Sequence, residues 1–273
     1  MTNTSPIDTA AARAATLRAL HAGPQLLVLP NAWDAATARA FANAGFPAIA
    51  TTSGGVANAL GYEDHEHAPV DEMLGAAARI SRAVVVPVTI DFEAGYGLAP
   101  DEIAKRVIAA GGAGLNLEDS NHEAGGLVDA NRHAERLAAV KAAARSAGVD
   151  LVLNARVDVF IRRQGTPEEQ LAEALRRARL YRSAGADCIY PIALSDEAMI
   201  SALIEAVGVL NVNVRRGGSL SLERAAALGV RRVSYATSLF RETMTAVGDI
   251  ANEIHATASA AGAVLGTESA PRQ

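Results

Sequence analysis

Val84-Val85-Val86-Pro87-Val88-Thr89-Ile90-Asp91-Phe92-Glu93-Ala94-Gly95-Tyr96-Gly97 passes from an apolar, β-branched run into two acids and two spaced glycines. The run is strand-sized, and its polar residues begin where it ends. Asp91 and Glu93 stand two apart, so an extended chain points both the same way. The glycines behind them permit a sharp turn. A strand that delivers carboxylates at its C-terminal end is the working unit of a parallel α/β fold.

The same reading extends in both directions. Short β-branched runs occupy 26–30, 48–53, 84–91, 114–118, 151–156, 188–191, 210–214 and 232–235. Segments of helical period separate them, at 35–44, 70–82, 100–111, 131–147, 167–184, 196–207 and 221–228, with a last one from 238 to about 260. Several of these end on glycine (Gly45, Gly148, Gly185, Gly229), the usual left-handed helix stop. Others open on proline and acids, as in Thr166-Pro167-Glu168-Glu169. Eight βα units without a composition break predict an α/β chain folded as one closed (β/α)8 barrel over 1–261. A leading helix, about 8 to 22, is expected to cover the barrel bottom, and 262–273 reads as a flexible tail. The competing open sheet would show a Gly-rich dinucleotide turn after its first strand. Here that strand runs into Pro30-Asn31-Ala32-Trp33-Asp34.

Composition narrows the function. Half of the 273 residues are hydrophobic, enough for a sizeable core. A net charge of -5 without a basic stripe argues against nucleic acid. The lone Cys188 excludes a disulfide within the chain and argues against a cysteine-based zinc site. No secretory signal is visible in 1–11, and no stretch nears the roughly 18 apolar residues of a membrane span. A cytoplasmic enzyme without membrane contact is the expectation.

Barrel chemistry sits where strands end. Besides Asp91 and Glu93, those positions hold Ser53-Gly54-Gly55 with Asp64 following, Glu118-Asp119, Arg156 with Asp158, and Asn213. Converging carboxylates with few cations describe a hard-metal site. Arg156 reads equally as a two-point clamp for a substrate carboxylate and as the partner of a neighbouring acid. Asn213 either lines the pocket or satisfies backbone groups. Trp33 either walls the pocket or packs in the core. His65 and His67, flanking Glu66, read as a solvated turn. His122, after the fourth strand, is the histidine placed to reach a substrate. Gly-x-Ser-x-Gly is absent, so Ser53 is not a nucleophile elbow.

Asn31-Ala32-Trp33-Asp34, Ser53-Gly54-Gly55, Asp91 to Gly97, Glu118-Asp119 and Asn154-Ala155-Arg156 together resemble the isocitrate lyase/phosphoenolpyruvate mutase superfamily, over about residues 27 to 246. The resemblance implies a (β/α)8 barrel, with the last helix swapped between subunits of a homodimer or homotetramer. It implies Mg2+ or Mn2+ and a small 2-oxo acid or dicarboxylate substrate, passing through an enolate. By position, Asp91 would be the main metal ligand. Asp64, Glu93 and Glu118 would act directly or through water. Ser53, Gly54 and Gly55 would hold the substrate carboxylate and oxo group, Arg156 its oxygens, and Trp33 and Asn213 would line the pocket.

Departures from the pattern are as informative. The lyases of this family carry Lys-[Lys/Arg]-Cys-Gly after the fourth strand, whose cysteine is the acid/base. Here the segment is Ser120-Asn121-His122-Glu123-Ala124-Gly125-Gly126. The lyase Pro-Glu after the sixth strand is Pro191-Ile192. His122 or Glu123 is therefore the candidate proton donor. The leading expectation is a metal-dependent carbon–carbon lyase acting on a small di- or tricarboxylate. A carbon–phosphorus mutase or hydrolase and a non-catalytic barrel that binds 2-oxo acids are the alternatives.

Overall fold

The computed structural model describes residues 6–264 and residue 266. The chain runs α1 (Pro6–Ala22), β1 (Leu27–Leu29), β2 (Asn31–Ala32), α2 (Ala35–Asn43), β3 (Ile49–Thr51), α3 (Ser53–Leu60), α4 (Val70–Ala83), β4 (Val88–Asp91), α5 (Pro100–Ala109), β5 (Gly114–Glu118) and α6 (Ala130–Ser146). It continues β6 (Val152–Val157), α7 (Val159–Arg162), α8 (Pro167–Ser183), β7 (Cys188–Pro191), α9 (Glu197–Val207), β8 (Asn211–Asn213), α10 (Leu222–Leu228), β9 (Arg232–Ser234) and α11 (Ser238–Ala260).

All strand pairings are parallel. One run of neighbours is β2-β3-β4-β5-β6-β7 and the other β1-β9-β8. Two seams join them into a ring. Ile189 bridges Leu210, linking β7 to β8. At the other seam β1 and β2 are halves of one strand, parted by Pro30. The first half pairs with β9 and the second with β3. The result is the eight-stranded barrel that the alternating runs predict.

The run that opens the sequence argument splits in two. Val84 to Pro87 is a connection, with Val85 88% exposed, and the strand proper starts at Val88. Pro87 has no N–H to give a ladder, which places it at the edge of the strand. A second difference follows β3. The run expected over 48–53 ends as a strand at Thr51, and Ser53-Gly54-Gly55 forms the first turn of α3. Thr52 caps that helix, its hydroxyl accepting from Gly55 N at 3.4 Å. Glycines weaken a helix, but here they open one, where the backbone must come close to other groups.

The leading helix lies where expected. Leu17 of α1 is fully buried against Leu27, Leu29, Ala48, Ala50, Ala113 and Val152, which closes one end of the ring. Arg18 donates to Asp150 O at 2.7 Å and pairs with Asp187. The Thr166/Glu169 capping box and the positive φ of Gly45, Gly148, Gly185 and Gly229 follow the sequence signals. The final helix differs from the others: α11 has no buried residue, and Met244, Val247, Ile250 and Ile254 are exposed along it. No helix among the described residues is long and apolar enough to cross a membrane. The tail expected from 262 onward lies outside the described residues, apart from 262–264 and 266.

Candidate active site

The C-terminal ends of the strands surround a cavity of about 240 Å³. Asp64, Asp91, Glu93, Glu118, Ser53, Arg156 and Asn213 all line it, so the chain brings together most of the residues singled out from sequence. Asp91 ends β4. Its Oδ2 accepts from Ser53 N at 3.0 Å, the first N–H of α3, and its Oδ1 from Asn116 Nδ2 at 3.3 Å. Its own N–H donates to Thr51 Oγ1 at 2.8 Å. The carboxylate is thus fixed from β3, α3 and β5 at once.

Glu93 reaches the same cavity by a route the alternation argument did not foresee. The strand stops at Asp91, and Glu93 sits in a left-handed turn with φ 47°. Its side chain arrives by that turn, not by strand periodicity. The Tyr96 hydroxyl donates to Glu93 Oε1, and Glu66 N donates to Oε2 at 2.7 Å. Burial pushes the Glu93 carboxyl up to about 7, against the pull of the Tyr96 hydrogen bond.

Glu118 and Arg156 are register partners on β5 and β6. Arg156 Nη1 lies against Glu118 Oε2. The rest of the guanidinium is taken by Asp158, through Nε to Oδ1 at 2.7 Å and Nη2 to Oδ2 at 2.9 Å. Burial and the nearby acids Asp158, Asp91 and Asp64 hold the Glu118 carboxyl well above its ordinary range despite Arg156. Burial works against the Arg156 charge, yet Asp158 and Glu118 outweigh it and keep the guanidinium charged. Of the two roles open for Arg156, the acid pairing is the one its geometry displays. Asn213 likewise spends its Oδ1 on the backbone, accepting from Ala193 N at 2.9 Å.

Asp64 is less fully tied than Asp91. Its Oδ1 is buried without a hydrogen-bond partner. The carboxylate packs over Gly54, where an added Cβ would stand 2.6 Å from Asp64 Oδ2. Gly54 is therefore required for close approach. Gly55 faces the other way: its Cβ would meet Thr52 Cγ2 at 2.6 Å and Trp33 Cβ at 3.2 Å. Trp33 does not line the cavity. It packs beneath α3, edge-on to Phe240 with ring centres 5.3 Å apart.

The two candidate proton donors part company. His122 shares a hydrogen bond with Glu118 Oε1 at 2.6 Å, and its ring lies 5.1 Å from that of His65. Together with His65, Arg156 and Asp158 it lines a second pocket beside the first. Glu123 is exposed and lines only an outer groove, which it shares with His122, Asn121, Arg132 and Arg136. The loop that carries both is short and closed, with Ser120 bridging Leu127 and Asn121 N donating to Gly126 O at 3.1 Å. His65, Glu93 and His122 are the one trio among the described residues whose ligand atoms lie within 4.8 Å of one another.

Sequence reasoning did not single out several lining residues: Asn116, Tyr190, Arg215, Thr237 and Arg241. Asn116 sits two residues before Glu118, and that spacing on one strand face was a usable signal. His65 was set aside as a solvated turn, yet it faces His122. Nothing local in the sequence joins positions that far apart.

The sequence profile described as phosphoenolpyruvate phosphomutase matches residues 17–255. A Corynebacterium glutamicum protein named as a 2-methylisocitrate lyase is 31% identical over 252 residues, covering 88% of this chain and 81% of its own. The 2,3-dimethylmalate lyase of Eubacterium barkeri is 29% identical over 250 residues, covering 87% and 84%. Among solved structures, a Burkholderia cenocepacia protein described as a phosphonomutase superposes with a TM-score of 0.83 at 39% identity, covering 88% of this chain and 99% of that one. Profile, relatives and barrel agree, and the chain belongs to the isocitrate lyase/phosphoenolpyruvate mutase superfamily of enzymes.

Proposed function

We propose that this chain is a divalent-metal-dependent carbon–carbon lyase that cleaves a small 2-oxo or 2-hydroxy di- or tricarboxylate and releases a 2-oxo acid. The observation that carries the reading is Asp64 Oδ1, a buried oxygen with no partner, facing the cavity that Asp91, Glu93 and Glu118 share. A buried acceptor left unmatched is costly. A cation offers it a partner, and an all-oxygen donor set suits Mg2+ or Mn2+. Asp91 would hold the metal directly. Asp64, Glu93 and Glu118 do not bring three ligand atoms within 4.8 Å, a spacing that suits contacts through water. When bound, the cation polarises the substrate oxygens and takes up the charge of the enolate.

The chain supplies the remainder. In the opening turn of α3, Ser53 N is taken by Asp91 and Gly55 N by Thr52, so the Ser53 hydroxyl and Gly54 N are the groups that would meet a carboxylate or oxo oxygen. Arg156, locked on Asp158 and Glu118, contributes a fixed positive field more than a free clamp. His122 exchanges the proton that the cysteine of the lyases would handle, with Glu118 orienting its ring. The exposed apolar stripe of α11 suits a second copy of this chain, in keeping with a homodimer or homotetramer that exchanges its last helix.

The 39% identity to a protein described as a phosphonomutase favours carbon–phosphorus chemistry as a second reading. Thermal unfolding with and without Mg2+ or Mn2+ tests the metal, since a ligand of the native state raises the midpoint. The wild type is expected to shift and Asp91→Ala to lose that shift while staying folded. An equal shift in both would remove Asp91 as the ligand. Turnover of 2-hydroxy dicarboxylates and phosphonates, followed as 2-oxo acid or phosphate released, separates the two chemistries.

A further inference from the structure

We propose that Arg215 and Arg241 capture a second, remote carboxylate, which makes the substrate a dicarboxylate and not a tricarboxylate; this rests on the metal-site reading above. Both arginines line the cavity that Asp91 lines, yet both are exposed while Glu93 and Glu118 are buried. The cavity is therefore polarised, with acids at its floor and two guanidinium groups at its mouth. Arg215 follows Asn213 at the end of β8, and Arg241 stands in the first turn of α11. In the chain, β9 lies between their parent elements, and both side chains line the one cavity.

Of the three arginines that line the cavity, these two have no acidic partner within 4.0 Å among the described residues. Arg216 pairs with Glu242 at 3.0 Å, and Arg224 pairs with Glu197 at 2.5 Å. Arg156, the third cation of the cavity, is committed to Asp158 and Glu118. Two guanidinium groups without acidic partners, lining one small cavity, suit a planar anion recognised by paired N–H donors. Once a ligand seals the cavity from water, those contacts strengthen.

Charge accounting then limits the ligand. One carboxylate goes to the metal end and one to the arginine pair. A third would lie among Asp64, Asp91, Glu93 and Glu118 and uncharged polar side chains, with no further arginine or lysine in the lining to receive it. The volume agrees: about 240 Å³ falls below the roughly 300–1,000 Å³ of sites for drug-sized ligands, as suits a small diacid.

The test compares malate with lactate, which share the 2-hydroxy acid end and differ in the remote carboxylate. Binding is measured by calorimetry in the presence of Mg2+, for the wild type, Arg215→Gln, Arg241→Gln and the double variant. The wild type is expected to bind malate at least tenfold more tightly than lactate. The double variant should bind malate no better than lactate, with lactate unchanged, and each single variant should lose part of the preference. Equal binding of the two acids by the wild type, or a preference that survives in the double variant, overturns the proposal. So does a parallel loss of lactate, since that would mean a general field and not a contact. If the double variant unfolds, the single variants decide. If the wild type binds neither acid with Mg2+ present, the metal-site reading itself fails, an outcome distinct from equal binding of both.

Discussion

Arg156 and Asp158 hold each other through two buried hydrogen bonds, Nε to Oδ1 at 2.7 Å and Nη2 to Oδ2 at 2.9 Å. The pair spans only one intervening residue, at the point where β6 gives way to α7. Ser120 donates to Asp158 Oδ2 at 2.5 Å, and Asp158 N donates to Asp119 Oδ1 at 2.9 Å, so the knot also ties the β5 loop to β6. Removing one member of a buried pair leaves the other charge uncompensated. Asp158→Asn keeps the shape and deletes the charge. We expect a loss of about 3 kcal/mol in urea unfolding, and a loss below about 1 kcal/mol would mean that water screens the pair.

The Glu93 carboxyl, buried and raised from 4.5 to about 7, binds its proton more tightly in the folded, metal-free protein than in the unfolded chain. Its contribution to stability is complete below about pH 4.5 and lost as pH rises through about 7. The span corresponds to on the order of 3 kcal/mol. Glu93→Gln mimics the protonated form. Metal-free wild type should match that variant near pH 4.5 and fall below it by pH 8. Parallel stability curves would contradict the shift. Added Mg2+ should reverse the trend, because a cation favours the ionised carboxylate.

His122 and Glu123 both line the outer groove, but only His122 also lines the pocket beside Arg156 and reaches Glu118. His122→Ala should lower kcat by about 10²- to 10⁴-fold, the range for a lost acid/base group. Glu123→Gln should leave kcat near wild type. The reverse pattern would move the proton transfer to Glu123, and two silent variants would remove the loop from the chemistry.

Gly54→Ala would set a methyl group 2.6 Å from Asp64 Oδ2 and 2.8 Å from Thr237 Oγ1. Both are side-chain tips and can retreat, so the fold should survive with little loss. Asp64 would be displaced from the cavity, and the thermal shift given by Mg2+ should shrink. A full metal response in a folded Gly54→Ala protein would place Asp64 outside the metal's surroundings.

The barrel was legible because each strand and helix carries its own period and its own stop. Pro87 and Val85 blurred only where β4 begins. The start of α3 was not legible, because Ser53-Gly54-Gly55 has turn composition, and its helix depends on the Thr52 cap and on Asp91 receiving Ser53 N. At the site, acids at strand ends were readable one by one. Their partners were not. Asn116 belongs to another strand than Asp91, Tyr96 reaches Glu93 only through a left-handed turn, and Arg241 waits on the final helix. Such pairings exist only once the ring is closed.

That closure has a consequence for how the protein is made. The first strand changes partner at Pro30, and its earlier half has no neighbour until β9 arrives. Leu27 pairs with Arg232, and Asn31 Oδ1 accepts from Tyr235 N at 2.7 Å. Contacts so distant along the chain form late and slowly. A ribosome-bound chain that ends before β9 holds Asp64, Asp91, Glu93 and Glu118 around an unsealed trough, with two strand edges bare and both β9 and Arg241 missing. The growing protein therefore carries these acids long before it has a closed mouth around them, and the cavity is complete only once β9 and α11 have been made.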